Sequence, residues 1–179
     1  MAPAARSAGH SITMLYTLLN GLMFNVTWLI IVTTESALIA PVAALLHVLI
    51  HFAVMGKGYI ELRVILQVAL FGAFVDQILF YLQVFVVSGQ PALPPLWLTC
   101  LWPVLATTLM HAFSGLQNRY LLAALLGGVG GAASFVAGTR LTSVEFDSPF
   151  WGPVIIAVLW AVVFPLLLQL PRLNGYGKR

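Results

Sequence analysis

His47 and His51 stand four residues apart in an apolar run, which puts both imidazoles on one face of a helix. That spacing suits two ligands of one metal ion. His111 lies in a later apolar run, flanked by Thr107, Thr108 and Ser114, and Asp76 lies in a run between them. Three imidazoles and a carboxylate are the donor set of a metal centre or a proton relay. Depth argues against one shared site, because Asp76 falls nearer the opposite end of its run from His51 and His111. The leading expectation is therefore that each histidine hydrogen-bonds a neighbouring helix, with a metal at His47, His51 and His111 as the alternative. An ionisable group inside a bilayer is a functional candidate by default. Asp76 and His111 are thus the candidates for catalysis. Asn25, His47, His51, Gln83 and Ser134 are the candidates for binding. Gly72 and Gln83 share the helical face of Asp76, so that face is expected to point inward, with His47, Asn25 or Ser134 as the polar partner of Asp76.

The elements that position these groups are set by composition. Of 179 residues, 61% are hydrophobic and 7% are charged. Soluble domains carry roughly 25% charged residues, and so few charges cannot cover a water-soluble surface. Apolar runs of about 20 residues read as transmembrane helices. They are apolar on every side, without the alternation of a membrane barrel. The spacing predicts an all-α integral membrane protein of about six transmembrane helices in one domain, over 12–34, 37–55, 60–87, 95–116, 120–139 and 150–170. The breaks carry turn chemistry: Gly56-Lys57-Gly58, then Ser88-Gly89-Gln90-Pro91 through Pro94-Pro95, then Gln117-Asn118-Arg119, then a loop with Glu145 and Asp147. Pro103 is expected to kink the fourth helix.

With six spans, Arg6, Lys57, Arg63, Arg119, Arg172, Lys178 and Arg179 fall on one side and only Arg140 on the other. Basic residues collect on the cytoplasmic side, so both termini are expected there. The basic residues form no stripe, which argues against a nucleic-acid partner. Cys100 stands alone and can form no internal disulfide. No strained Gly-x-Ser-x-Gly turn and no paired catalytic carboxylates appear. Polar residues of the first helix, Thr13, Asn20, Thr27 and Thr34, recur every seven residues and are expected to bond other helices. Ala123, Gly127 and Gly131 recur every four residues in the fifth helix and are expected to bury it at the centre of the bundle.

Several strings together carry a resemblance. Pro94-Pro95-Leu96-Trp97-Leu98, Leu101-Trp102, Leu109-Met110-His111, Gly127 to Gly131, Ser134-Phe135 and Ala137-Gly138 resemble the domain of unknown function 2878 family of bacterial membrane proteins. Asn20 and Trp28 in the first helix, and Gly72 and Asp76 in the third, fit the same pattern. Two departures from it are Ala132-Ala133 after Gly131 and Ala112 after His111. The resemblance implies a bacterial inner-membrane location and supplies no activity or cofactor. It also implies a setting beside lipid-modifying enzymes, and so a binding or accessory component of envelope lipid metabolism. The rival expectations are an intramembrane enzyme acting on a lipid or quinone, and a small transporter or flippase.

Overall fold

A computed structural model describes the backbone of residues 3–87 and 93–177, with side chains from Met14 onward. The turn expected at Ser88–Pro91, the charges of Lys178 and Arg179, and the side chains of Arg6 and Thr13 lie outside the described residues. The chain is mostly helical. Helix α1 spans Pro3–Thr34, α2 Ile39–Met55 and α3 Tyr59–Tyr81. A strand β1, Phe85–Val87, follows, then two short helices, α4 (Leu96–Thr99) and α5 (Leu101–Ala106). After a 3-10 turn at Ser114–Leu116 come α6 (Tyr120–Thr139), β2 (Val144–Phe146), α7 (Trp151–Leu167) and α8 (Leu170–Leu173). Four helical stretches are long and apolar enough to cross a membrane: Met14–Thr34, Tyr59–Tyr81, Tyr120–Thr139 and Trp151–Leu173. Two apolar stretches are shorter, Ile39–Met55 and Leu96–Ala106.

The third helix ends at Tyr81, not at Val87 as its apolar run implied. Gln83 takes a left-handed backbone with φ of 56°, and the chain turns into β1. Gln83 is therefore exposed and does not share the inward face of Asp76. Strands β1 and β2 pair antiparallel, Phe85 with Phe146 and Val87 with Val144. Phe85 stacks on both Phe135 and Phe146. The chain is thus not wholly helical: this ribbon ties the end of α3 to the end of α6.

The fourth segment is not one helix over 95–116. Pro95 precedes α4 in extended backbone, as a proline at a helix start should. The helix breaks at Cys100. Pro103 explains that break, since its ring clashes with the carbonyl four residues back, Thr99, and offers it no N–H. From Thr107 to Phe113 the chain runs through turns while Thr107, Thr108, Leu109 and Met110 stay buried.

Small residues set a close helix contact between α6 and α7. A Cβ on Gly127 would lie 2.6 Å from Phe164 Cβ and 2.7 Å from the Trp160 carbonyl oxygen. One on Gly131 would lie 2.4 Å from the Trp160 ring. The glycine stripe does make a close helix contact. Yet α6 is peripheral, not central: Leu121, Leu125 and Val129 on its other face are exposed. In lipid, close backbone approach replaces the hydrophobic drive between helices. Gly127→Leu should therefore lower stability by about 1–3 kcal/mol or more through overpacking, read as a fall in the detergent melting temperature. Leu121→Ala, on a side chain facing outward, should leave the melt nearly unchanged; equal melts for the two would place the glycine stripe against lipid.

Candidate functional site

The polar side chains converge on the end of the bundle that carries the Gly56–Gly58 turn. His51 lies near the end of α2 and Glu61 in the first turn of α3, so the α2–α3 turn folds the two together. His51 Nε2 is 2.8 Å and His111 Nε2 2.9 Å from the same oxygen, Glu61 Oε1. The two rings meet edge to face with centroids 4.8 Å apart. The second carboxylate oxygen accepts the Lys57 backbone N–H at 2.6 Å. His51 and Glu61 are fully buried and His111 nearly so.

The surrounding bonds fix the protons. Asn20 Oδ1 accepts the Ala112 N–H at 3.2 Å, which orients the Asn20 amide. Its nitrogen then donates to the Thr107 carbonyl at 3.3 Å and faces His51 Nδ1 at 3.4 Å. His51 Nδ1 must therefore be an acceptor, and the ring carries its proton on Nε2, toward Glu61. Lys57 turns its ammonium away from Glu61, donating to the Met110 carbonyl at 2.7 Å and lying over the Tyr176 ring.

His47 is separate from this cluster. Thr27 Oγ1 donates to His47 Nδ1 at 2.9 Å, and His47 Nε2–H donates to Thr107 Oγ1 at 3.0 Å, which in turn donates to the Val104 carbonyl. Both ring nitrogens are used, so His47 bonds neighbouring segments. The trio His47, His51 and His111 does not form. The structure puts Glu61 where His47 was expected.

Asp76 lies far from the cluster, near the other end of α3. It is buried, and its Oδ2 accepts the Trp102 indole N–H at 3.0 Å and the Thr99 hydroxyl at 3.2 Å. Neither His47, Asn25 nor Ser134 is its partner, because α5, not α1 or α6, packs on α3. Gly72 one turn away leaves room for the indole: a Cβ there would fall 1.9 Å from Trp102. Asn25 donates within its own helix to the Gly21 carbonyl at 2.8 Å.

Asn25 and Ser134 instead line a cavity of about 520 Å³ between α1, α5, α6 and α7. Its walls are mostly apolar, among them Phe24, Trp28, Trp102, Phe135, Trp160 and Phe164. The structure thus makes two candidate sites, a buried Glu–His cluster and an apolar cavity, and separates Asp76 from both His111 and the cluster.

Glu61 is the functional candidate that sequence reading missed. A signal existed: His51 sits about one turn before Gly56 and Glu61 about one turn after Gly58. A tight hairpin brings such positions to equal depth.

The Asp76–Trp102 bond gives a testable expectation. Asp76→Leu leaves the buried indole N–H unpaired and should cost about 1–3 kcal/mol, read by chemical denaturation in detergent. Asp76→Asn retains a carbonyl oxygen for Trp102 and should lose less than half as much. An unaltered Asp76→Leu protein would show that the bond contributes nothing.

No curated protein and no solved structure matches the chain. Over residues 17–166 it matches the family described as protein of unknown function (DUF2878). With most of its length matched, from the Asn20 bonds of α1 through the Gly127–Trp160 contact, the chain belongs to that family.

Proposed function

We propose that this is a multi-pass inner-membrane protein that takes an apolar chain from the bilayer, the tail of a lipid or isoprenoid, into the cavity between α1, α5, α6 and α7. The observation that carries this reading is the cavity itself. Its volume of about 520 Å³ falls in the range of about 300–1,000 Å³ typical of ligand pockets. Helix α1 packs on α2, α4 and α5, and α6 packs on α7, so the cavity occupies the gap between two packed units. The few polar groups in its wall, Asn25, Thr108 and Ser134, suit one oxygen-bearing group on an otherwise hydrocarbon ligand. Outward-facing Leu18, Leu22, Val129 and Val158 are exposed, as lipid-facing side chains would be. In this reading the partners are membrane lipids and the enzymes that modify them, and the role is that of a binding component in envelope lipid metabolism.

The same reading takes α2 and the α4–α5 segment as crossings besides the four long helices, six in all. At 17 residues α2 is at the lower limit of about 17–25 residues for a span. Lys57, Arg63, Arg119 and Arg172 then lie at one end, with Glu35, Glu145 and Asp147 at the other. The positive end is cytoplasmic, with both termini on that side.

Two measurements test this. Mass spectrometry of the protein extracted in mild detergent should detect a lipid or isoprenoid species at about one per chain. Gly130 lines the cavity, and a Cβ there would meet nothing within 4 Å, so Gly130→Leu should fold normally and lose most of that species. Equal retention by both proteins would exclude the cavity as the binding place. For topology, a reporter active only outside the cytoplasm should be silent when fused at Arg179 and active when inserted at Asp147; activity at Arg179 would overturn the six-span arrangement.

A further inference from the structure

We infer that Glu61, His51 and His111 form a binding site for a divalent transition metal of the zinc class. Three separate segments deliver the donors: the end of α2, the start of α3 and the turn after α5. The two Nε2 atoms and the carboxylate oxygen all lie within 4.8 Å of one another, and all three residues are buried. Two imidazoles and a carboxylate are a recurrent three-ligand set for zinc, which leaves a fourth position open. They are also the ligand set of non-haem iron centres.

Geometry supports the assignment. Tetrahedral zinc with bonds of about 2.0–2.1 Å spaces its ligand atoms about 3.4 Å apart. The two nitrogens stand 2.8 and 2.9 Å from Glu61 Oε1. The ion fits once each nitrogen parts from the oxygen by about half an ångström and the two nitrogens, which lie within 4.8 Å of each other, come to that same spacing.

Charge supports it too. Burying a carboxylate costs several kcal/mol unless a cation compensates it. The nearest lysine does not: Lys57 gives Glu61 its backbone N–H and sends its ammonium to Met110 and Tyr176. Asn20 faces the other ring nitrogen of His51, Nδ1, at 3.4 Å. A divalent ion held by the two rings and Glu61 would set two positive charges against that buried carboxylate. His47 is excluded from the set, because Thr27 and Thr107 occupy both its nitrogens.

Binding moves protons without net release from neutral rings. A metal on His51 Nε2 transfers that proton to Nδ1, which then needs an acceptor. Asn20 turns its amide to offer Oδ1.

The experiment uses the full chain, purified in detergent with a tag that contains no histidine. After chelator treatment, zinc alone is titrated against a chromophoric competitor, and metal content is measured by elemental mass spectrometry. We expect about one tightly held zinc per chain in the wild type and in His47→Gln. Glu61→Gln and His111→Ala should bind at least 100-fold more weakly while eluting as monodisperse protein. X-ray absorption of the zinc-loaded wild type should show two imidazole nitrogens at about 2.0–2.1 Å. This measurement decides the matter even if a variant fails to fold. Folded wild type that holds no zinc overturns the proposal. So does zinc held equally by Glu61→Gln, or an absorption spectrum with any number of imidazoles other than two.

Discussion

The fold depends on satisfying an unwound stretch of backbone, Thr107 to Phe113, buried inside an apolar bundle. An unpaired peptide group away from water costs roughly 1–3 kcal/mol even on lenient mutational scales. Non-helical chain at membrane depth survives only where protein surrounds it and replaces the lost helix bonds. Here the replacements come from across the molecule. The carbonyl of Thr107 takes the Asn20 amide, that of Leu109 the Gln117 amide, and that of Met110 the Lys57 ammonium. The hydroxyls of Thr107, Thr108 and Ser114 bond back to carbonyls three residues earlier. Each bond also fixes where its donor goes. Helix α1, the α2–α3 turn and the turn before α6 are all tied to this one segment, and His111 rides on it to meet Glu61.

At the opposite end the constraint is aromatic. Trp102 fills the hollow left by Gly72, donates to Asp76, and stacks on Trp160 with centroids 5.4 Å apart. Trp160 in turn occupies the hollow left by Gly131. One chain of contacts therefore runs from α3 through α5 to α7 and α6. It forms a wall of the cavity, since Trp102 and Trp160 both face it. Asp76 anchors that wall through Oδ2 alone; its Oδ1 is buried without a hydrogen-bond partner among the described residues.

Composition made the membrane class legible, and loop residues marked where most helices stop. The stripe of Gly127 and Gly131 was legible as a close contact because only one physical advantage favours small residues in lipid. Its location was not, since a stripe shows that a partner exists and not how many. The unwinding of 107–113 was hidden for a different reason. Apolar residues serve a buried helix and a buried turn equally well, and only Thr107, Thr108 and Ser114, able to cap freed carbonyls, hinted at it. Glu61 was overlooked because an acid beside Lys57 and Arg63 reads as an interfacial charge. Burial of that charge follows from His111, and the position of His111 follows from the unwinding. Asp76 drew attention through its depth, yet its partners, Thr99 and Trp102, depend on the break at Cys100 that Pro103 imposes.

The two candidate sites share a boundary one hydrogen bond thick. Ala112 and Gly21 line the cavity, and a Cβ on Gly21 would touch only the Ala112 methyl, at 3.9 Å. Behind them the Ala112 N–H is held by Asn20 Oδ1, and Asn20 also faces His51. Contiguity alone is not coupling; a shared element with two arrangements is. Asn20 has a single carbonyl oxygen. In the present arrangement Ala112 holds it and His51 keeps its proton toward Glu61. Any change that moves the His51 proton to Nδ1 makes a second claim on that oxygen, and the two claims lie on opposite sides of the amide. Asn20 thus faces the His51 ring of the cluster and holds the Ala112 backbone of the cavity wall at once.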